Sequence, residues 1–473
     1  MRVGPYVREP GRFQVGVLTE DGLVRHEDGD LYHPDELPEG SRAFGQWDVV
    51  RHLMREGIGE ALCWRGEEVK WRRTPVPEAQ DWVNARTDVA VHRVPLHPRR
   101  RERAFLVDVI AWRDWLERAG ARAASGTVGS EAMSLLRASL AGQPLISFNQ
   151  AFQVASDRPP IRWTRGGRIM DGPAGAGCYR GRLVQLDLPS AYSSLLGGLR
   201  YGGAWQQIDV RGRHFDSWLM ERAEPMFVRA QVQVPELPVG PLLVSRRRDN
   251  YITMLVAQAG GLRRDKEDVH PFPSGCYVAG TWTRDEIVAA LRAGCAVEPL
   301  QAWVHRSRRQ PFLGWWELIL AGRDELRGTP GELLVKMTGN ALVGQFSRDG
   351  GHKSIRRAGH RPRRVGAGFQ PYPAHDLADY VTGTTRARLY ELIVWAGGRL
   401  LTAHTDGAWV VDDGTPYPEG WRVKQRAHQL DYLSPVAYRY WRGRWPSVVF
   451  AGSPPLEAEE RFAEEWARWL ERA

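Results

Sequence analysis

The sequence predicts an α+β protein with about three domains or lobes, at roughly 150 residues per domain. The chain has 473 residues, so it can bury several cores without disulfide or metal cross-links. Short strand-like runs are mixed with stretches of helical periodicity along the whole chain. Hydrophobic residues make up 42% and charged residues 26%. These values are typical of a folded globular protein and exclude a wholly disordered chain.

Several sequence features predict a protein of a reducing cytoplasm. The chain contains no uninterrupted apolar run of 18 residues, so no membrane association is expected. Its first residues carry no apolar signal-peptide core. The four cysteines are scattered without a Cys-x-x-Cys pair, which argues against a disulfide framework or a zinc finger.

The charge distribution favours a polyanionic partner. The formal net charge is +9, and the excess is concentrated in arginine clusters at 99–101, 246–248, 306–309 and 356–364. Basic clusters on a globular protein most often bind a nucleic acid. Any one cluster can equally be an ordinary solvated surface.

The first third of the chain has the pattern of an α+β domain. Strands are predicted at 13–18 and 89–94, and helical periodicity covers 104–119, with Gly120 as the stop. A passage rich in proline, glycine and arginine at 157–177 then predicts a connector.

The next elements predict a strand that turns directly into a helix. An apolar strand covers 182–188, and Pro189 and Ser190 form a turn in which the serine caps a helix over 191–196. Residues 200–300 show mixed strands and turns, with a helix over 283–293 that begins at a threonine cap.

The last part combines helices with a hairpin. Helices are predicted at 312–326 and 330–346, the second with proline near its first position, and 350–368 predicts a mobile basic loop. Two strands within 399–411 form a hairpin, and 456–473 is an amphipathic helix.

Two aspartates stand at positions suited to a metal site. Asp187 ends an apolar strand, and Asp406 lies at the tip of the hairpin. Each also has an ordinary structural interpretation, as a helix or turn cap for Asp187 and as a common Asp-Gly turn for Asp406. A pair of such carboxylates on neighbouring strands would bind two Mg²⁺ ions for phosphoryl transfer.

A lysine and an asparagine mark the helix at 330–346. Only five of the 65 lysines and arginines are lysines, and the chain has only four asparagines, yet Lys336 and Asn340 are four residues apart. With Val343 and Gly344 they fall on one helix face. This face offers a point charge for phosphate and an amide for a ligand. The alternative is an amphipathic helix with a lysine that reaches solvent.

Three motifs in order resemble those of the family B DNA polymerases. Asp187-Leu-Pro-Ser-Ala-Tyr-Ser-Ser is similar to motif A, Asp-x-x-Ser-Leu-Tyr-Pro-Ser. Lys336-Met-Thr-Gly-Asn-Ala-Leu-Val-Gly resembles motif B, Lys-x-x-x-Asn-Ser-x-Tyr-Gly. Ala403-His-Thr-Asp-Gly resembles motif C, Asp-Thr-Asp-Ser.

Two weaker matches extend the resemblance over residues 164–438. Thr164-Arg-Gly-Gly is similar to the Tyr-x-Gly-Gly element, which lies between the exonuclease and polymerase domains of the family. Ser434-Pro-Val-Ala-Tyr resembles the Lys-x-Tyr element at the border of palm and thumb.

The resemblance implies a role for each matching residue. Asp187 and Asp406, with the backbone carbonyl of Leu188, would hold two Mg²⁺ ions, for which Mn²⁺ could substitute. Nucleotide binding would fall to Ser190, Tyr192, Lys336, Asn340, Arg323 and Arg327. Tyr192 would exclude a ribose 2′-OH unless it is simply a core aromatic, and the two arginines can equally be surface charges. DNA binding would fall to Arg165, Gly166, Gly167, Gly344 and Tyr438.

The sequence departs from the family motifs at three positions. His404 replaces the first aspartate of motif C, which implies an altered rate or metal preference rather than lost activity, since Asp406 is retained. Val343 replaces a tyrosine of the base-pair pocket and implies altered fidelity. Val436 replaces the lysine of Lys-x-Tyr and implies weaker binding of the primer terminus.

The resemblance also implies a right-hand polymerase fold. Its parts would be an N-terminal exonuclease-like domain at 1–155, a palm with an insertion at 156–300, fingers at 301–350, palm again at 351–414 and a thumb at 415–473. No Asp-x-Glu occurs before Asp187, so the nuclease carboxylates are missing and no proofreading is expected.

The function implied is template-directed DNA synthesis from dNTPs on a primer–template. Within the family, the small size and the Tyr-x-Gly-Gly match weakly favour the phage- and plasmid-type branch. In that branch, a terminal or priming protein would be a further partner. Two alternatives stay open. One is a non-catalytic nucleic-acid-binding protein derived from a polymerase, and the other is a primer-synthesising or untemplated nucleotidyl transferase.

Overall fold

A computed structural model gives the fold of the chain. It describes residues 14–33, 36–37, 41–46, 49, 63–65, 68–71, 89–94, 102–121, 128–143, 159–161, 168–173, 175–210, 214–244, 270–271, 277–347, 353–355, 363–365, 374–444, 446–450 and 455–472.

The elements mix strands and helices, as an α+β chain requires. The strands in chain order are β1 (Gln14–Leu18), β2 (Val24–His26), β3 (Leu31–Tyr32), β4 (Ser41–Gln46), β5 (Cys63–Arg65), β6 (Glu68–Trp71), β7 (Val89–Val94), β8 (Arg168–Asp171), β9 (Gly177–Asp187), β10 (Trp205–Ile208), β11 (Met226–Gln233), β12 (Leu243–Val244), β13 (His270–Pro271), β14 (Tyr277–Thr283), β15 (Ala296–His305), β16 (Lys353–Ile355), β17 (Arg363–Val365), β18 (Leu400–Thr405), β19 (Gly407–Val411), β20 (Arg422–Ser434), β21 (Ala437–Trp441) and β22 (Pro446–Phe450). The helices are α1 (Glu102–Arg118), α2 (Val128–Ser139), α3 (Ala191–Gly198), α4 (Phe215–Met220), α5 (Arg284–Arg292), α6 (Leu313–Glu325), α7 (Pro330–Phe346), α8 (His375–Ala396) and α9 (Pro455–Leu470).

The chain divides into two compact units. The first unit comprises residues 1–143 and 312–342, and the second comprises 144–311 and 343–473. The division therefore falls inside α7. It is coarser than the five parts expected from the sequence, which stay a prediction.

The first unit is built on a mixed sheet with strand order β3-β2-β1-β4-β7-β6-β5, in which β1, β4 and β7 are parallel. Helix α1 packs on this sheet, where Trp112 meets Phe44 edge to face with ring centroids 6.0 Å apart. The indole of Trp112 also donates a hydrogen bond to Thr338 of α7, with 3.1 Å between Nε1 and Oγ1. Gly322 of α6 leaves room for Trp115, because a Cβ at this glycine would lie 2.3 Å from the indole nitrogen. Helices α6 and α7 thus share the core of the N-terminal segment.

The second unit contains an antiparallel sheet with strand order β22-β21-β20-β9-β19-β18-β8. Strand β9 lies in the middle and pairs with both β19 and β20. Helix α8 covers one face, where Leu389 and Ile393 pack with Leu186. The other face carries a buried aromatic cluster that includes Trp409 and Tyr440. Burial on both faces fixes the register of β9, since a shift by one residue would move its apolar side chains and its end.

A second sheet of the same unit has the strand order β10-β15-β11-β14. Helix α5 covers it, and its core includes Val228, Trp282 and Ile287. The cap predicted at the start of this helix is confirmed. The hydroxyl of Thr283 accepts a hydrogen bond from the Glu286 N–H, and the Glu286 carboxylate accepts one from the Thr283 N–H, which completes a capping box.

The structure corrects three local predictions. The predicted connector at 157–177 contains β8, which pairs with β18 more than 200 residues away. The predicted mobile loop at 350–368 contains the antiparallel pair β16–β17. Ser190 stands at the N-cap of α3, but its backbone is left-handed (φ 50°) and its hydroxyl makes no capping hydrogen bond within the described chain.

Candidate functional site

Strand β9 delivers the first candidate carboxylate. Leu183, Val184 and Leu186 are buried along the strand, and Asp187 ends it with its side chain 22% exposed. The chain then turns through Ser190 into α3. A carboxylate at the end of a strand whose apolar residues are buried is held firmly while it stays open to solvent.

The hairpin of β18 and β19 delivers the second. His404 pairs with Gly407, so Thr405 and Asp406 form the two-residue turn, as the sequence predicts. The hydroxyl of Thr405 donates to the Asp406 carboxylate at 2.8 Å. Thr405 also has a positive φ of 51°. Together with Ser190, it is one of the three non-glycine residues with positive φ in the described chain. Such backbone strain concentrates at functional sites.

The sheet places Asp187 and Asp406 at neighbouring strand ends. Gly407, next to Asp406, is in register with Asp187, and the Leu188 N–H donates to the Asp406 carbonyl at 2.9 Å. A Cβ at Gly407 would lie 2.8 Å from the Leu186 carbonyl oxygen and 3.5 Å from Oδ1 of Asp187. Glycine is therefore required for this close approach, which accounts for the Asp-Gly pair beyond its use in turns.

A lysine that the sequence reasoning gave no role lies at this pair. The ammonium of Lys424, on β20, is 3.1 Å from Oδ1 of Asp187. The rarity of lysine applied to Lys424 as much as to Lys336. What the sequence could not show is the pairing of β20 with β9, which brings together residues 237 positions apart.

Tyr192 and His404 lie within electrostatic reach of Asp406. Burial raises the pKa of the Tyr192 hydroxyl to about 12, with a further increase from the Asp406 charge and a decrease from Arg386. Desolvation lowers the pKa of the His404 ring, the Asp406 charge raises it, and the Lys424 charge lowers it. The site therefore combines two carboxylates, one ammonium, a tyrosine that stays protonated at neutral pH and a histidine that favours its neutral form.

Of the remaining nucleotide-site predictions, Lys336, Asn340, Arg323 and Arg327 lie on or next to α6 and α7 in the first unit. Lys336 is half-buried and Asn340 is exposed. Arg323, on α6, pairs with Glu332 of α7 at 3.2 Å, and Arg327, just after α6, pairs with Asp324 of that helix, so both arginines have acidic neighbours.

The predicted DNA-binding residues differ in their surroundings. Gly344 is exposed, whereas Val343, which was expected on the same face, is 7% exposed and packs inward. Tyr438 is 9% exposed and packs edge to face on Trp409 in the aromatic cluster. Arg165, Gly166 and Gly167 lie outside the described residues.

The donor set at the two carboxylates fits a hard divalent cation. Asp187, Asp406 and the Leu188 carbonyl are all oxygen ligands, which Mg²⁺ prefers. The Leu188 carbonyl accepts one hydrogen bond, from the Ala191 N–H at 3.2 Å, which leaves its second lone pair. Across the described residues, histidine, cysteine and carboxylate side chains form no group of three or more that could hold a metal. An ion here would therefore be held by the two carboxylates and the backbone, and its remaining ligands would come from elsewhere.

None of the helices that the structure describes is long and apolar enough to cross a membrane. Comparison by sequence finds no matching family model and no matching curated protein.

Comparison of structures does find matches, among them several structures of phi29 DNA polymerase. A ternary complex of phi29 DNA polymerase with primer-template DNA and incoming nucleotides matches with a TM-score of 0.56 and 12% identity, over 89% of this chain and 85% of that chain. The same polymerase with single-stranded DNA matches with a TM-score of 0.52 and 12% identity over the same shares. Its orthorhombic crystal form gives 0.51 and 11%, again over 89% and 85%. The chain has a mixed α+β fold that resembles the fold of phi29 DNA polymerase.

Proposed function

We propose that the chain is a template-directed DNA polymerase that adds dNTPs to a primer 3′-OH. The observation that carries the proposal is the meeting of Asp187 and Asp406 at the ends of adjacent strands, joined by the hydrogen bond from Leu188 to Asp406. The fold likeness to a polymerase supports it. Paired carboxylates at adjacent strand ends are the arrangement that two-metal phosphoryl transfer requires.

Asp187, Asp406 and the Leu188 carbonyl would hold two Mg²⁺ ions, with Mn²⁺ as a substitute. When bound, the ions supply activation of the 3′-hydroxyl and neutralise charge on the leaving pyrophosphate. The chain's own residues set the geometry: Gly407 permits the close approach of the strands, and the Thr405 hydroxyl orients the Asp406 carboxylate.

Tyr192 would select the sugar in this proposal. Its hydroxyl stays protonated at neutral pH because its pKa is about 12, and it lies within electrostatic reach of Asp406. A ring at this place would exclude a ribose 2′-OH by its volume. Tyr192→Val is expected to raise NTP incorporation relative to dNTP by about tenfold, the size of effect that one added hydroxyl in a pocket can have. The ratio of kcat/KM for the two substrates measures this.

The remaining roles rest on the motif resemblance. Ser190 lies in the strained turn between Asp187 and α3 and would border the nucleotide. Lys336, Asn340, Arg323 and Arg327 would contact the triphosphate and the nucleotide pocket. Arg165, Gly166, Gly167, Gly344 and Tyr438 would contact the primer–template. A terminal or priming protein is a further proposed partner, and absent proofreading follows from the missing Asp-x-Glu.

Two features favour a second candidate, a DNA-binding protein without catalysis. Lys424 already neutralises part of the charge of Asp187, and His404 stands where the family motif has a carboxylate. Both features reduce the negative charge available to a metal.

Extension of a labelled primer on a DNA template tests the proposal, with Mg²⁺ or Mn²⁺ and with dNTP or NTP. We expect extension by the wild type and a loss of at least about a hundredfold in Asp187→Asn and Asp406→Asn, since even an outer-shell partner of a metal costs 10–100-fold. Glu460→Gln, which removes one negative charge from the exposed face of α9, is the matched control and should extend normally. DNA binding without extension under either metal would favour the second candidate. Products formed without primer or template would indicate an untemplated transferase instead.

A further inference from the structure

The bulge in β20 aims Lys424 at the carboxylate pair. Val423 is in register with Leu186 and Gln425 with Gln185, so Lys424 is the extra residue between them. A bulged residue is re-aimed relative to the regular alternation of the strand, and bulges are common beside active sites. The re-aimed side chain places its ammonium 3.1 Å from Oδ1 of Asp187.

The contact combines a partly shielded carboxylate with a more mobile cation. The side chain of Asp187 is 22% exposed, whereas that of Lys424 is 48% exposed. An ion pair at this level of exposure is weak and can open at little cost. The ammonium can therefore leave Asp187 for solvent when a stronger cation arrives.

Lysine is a residue type suited to a cation that can leave its carboxylate partner. Arginine is the prevailing cation of this chain, with only five lysines among 65 basic residues. A guanidinium would bind a carboxylate through two parallel hydrogen bonds and hold it, whereas an ammonium is a point charge on a flexible stem. The charge of Lys424 also reaches His404, whose pKa it lowers.

We propose that Lys424 is a resident cation of the carboxylate pair, which holds Asp187 in the metal-free chain and competes with a divalent ion for that carboxylate. This inference rests on the proposed function, because it takes the pair to be a metal site. Lys424 is a positioning residue in this proposal: it acts through Asp187 and weakens divalent-ion binding. The divalent ion gains Asp187 only when the ammonium withdraws.

Mn²⁺ binding to the full-length chain, followed by electron paramagnetic resonance without DNA or nucleotide, tests the proposal. Lys424→Met keeps the apolar stem and removes the charge, and it should tighten carboxylate-dependent Mn²⁺ binding by roughly tenfold or more, as loss of a unit charge near a divalent ion implies. Lys424→Arg should bind Mn²⁺ no more tightly than the wild type. The control is Arg180→Met, an equal loss of charge at an exposed residue of β9, seven residues before Asp187 and roughly 23 Å along the strand.

A second readout separates this role from a structural one. The rise in Tm on adding Mn²⁺ should be larger in Lys424→Met than in the wild type, whatever the metal-free Tm of the variant. Equal Mn²⁺ affinities in Lys424→Met, Arg180→Met and the wild type would overturn the inference while leaving the metal site intact. The substitutions Asp187→Asn and Asp406→Asn are also added, one at a time, to Lys424→Met. If neither changed Mn²⁺ binding, the metal site of the proposed function would be contradicted as well.

Discussion

Both compact units contain a seven-stranded sheet, but the carboxylates of the two units differ in burial and in their cationic partners. In the first unit, Arg113 is 1% exposed and pairs with Glu27 and with Asp114, the latter at 2.8 Å. Glu131, fully buried, lies 3.6 Å from Arg42. In the second unit, Asp187 and Asp406 stand at strand ends, and the cation at Asp187 is a half-exposed lysine.

The difference separates carboxylates that stabilise the fold from carboxylates open to a ligand. A buried arginine with several acidic partners is costly to break and does not release them. A pair of like charges at neighbouring strand ends costs stability, and such a cost is typical of functional sites. Variants that break the buried ion pairs should therefore lose stability. Variants of the carboxylates at the strand ends should lose activity without losing stability.

The largest change in stability is expected from Arg113→Met. It leaves Glu27 and Asp114 without their shared guanidinium, and the free energy of unfolding should fall by about 3 kcal/mol. Arg118→Met on the same helix is the control, since this exposed pair with Glu325 should be worth at most about 1 kcal/mol. Urea denaturation measures both. Equal losses in the two variants would show that the arginine cluster of the first unit is not the stabilising element described.

An intermediate loss is expected from Gly407→Ala. The added Cβ meets the Leu186 carbonyl at 2.8 Å, so the hairpin must move from β9, at a cost of about 1–3 kcal/mol. Primer extension should fall with it, because the carboxylates separate. The matched variant is Gly344→Ala in α7, where an added Cβ meets no described atom within 4 Å. There, alanine should raise stability by about 0.5–1 kcal/mol. A stable and active Gly407→Ala would contradict the close approach of the two strands.

The smallest change in stability, and of opposite sign, is expected from Asp406→Asn. Asparagine keeps an oxygen to accept from Thr405 and removes the like-charge repulsion with Asp187, so stability should stay constant or rise by up to about 1 kcal/mol. For the second unit, with about 300 residues, that corresponds to a Tm increase of at most about 2 °C. Calorimetry beside the extension assay would show activity lost without stability lost. A clear fall in Tm would place Asp406 among the structural carboxylates instead.

Local patterns in the sequence predicted much of this architecture. The helices α1, α6, α7 and α9 lie where periodicity and end signals placed them, because their apolar faces and caps are encoded within a few residues. The hairpin around Asp406 was predicted for the same reason, since the turn and both strands are adjacent in the chain. Asp187 was identified as the end of a strand, and its neighbourhood to Asp406 followed from the motif resemblance.

What the sequence did not show depends on pairing over long distances. Strand β8 lies in a passage rich in proline and glycine, whose composition predicts no strand. It is stabilised by its pairing with β18. Lys424 reaches the site because of a bulge in β20, and no local sequence pattern predicts that bulge. The left-handed backbone of Ser190, between β9 and α3, departs from the extended backbone and side-chain hydrogen bond of a serine cap, and no local pattern predicted it.

The sharing of one core by α6, α7 and the N-terminal segment has a consequence for truncation of the chain. Trp112 and Trp115 contact Thr338 and Gly322, so deletion of the first 143 residues would strip α6 and α7 of the surface on which they fold. Loss of the N-terminal segment would therefore cost the helix that carries Lys336 and Asn340.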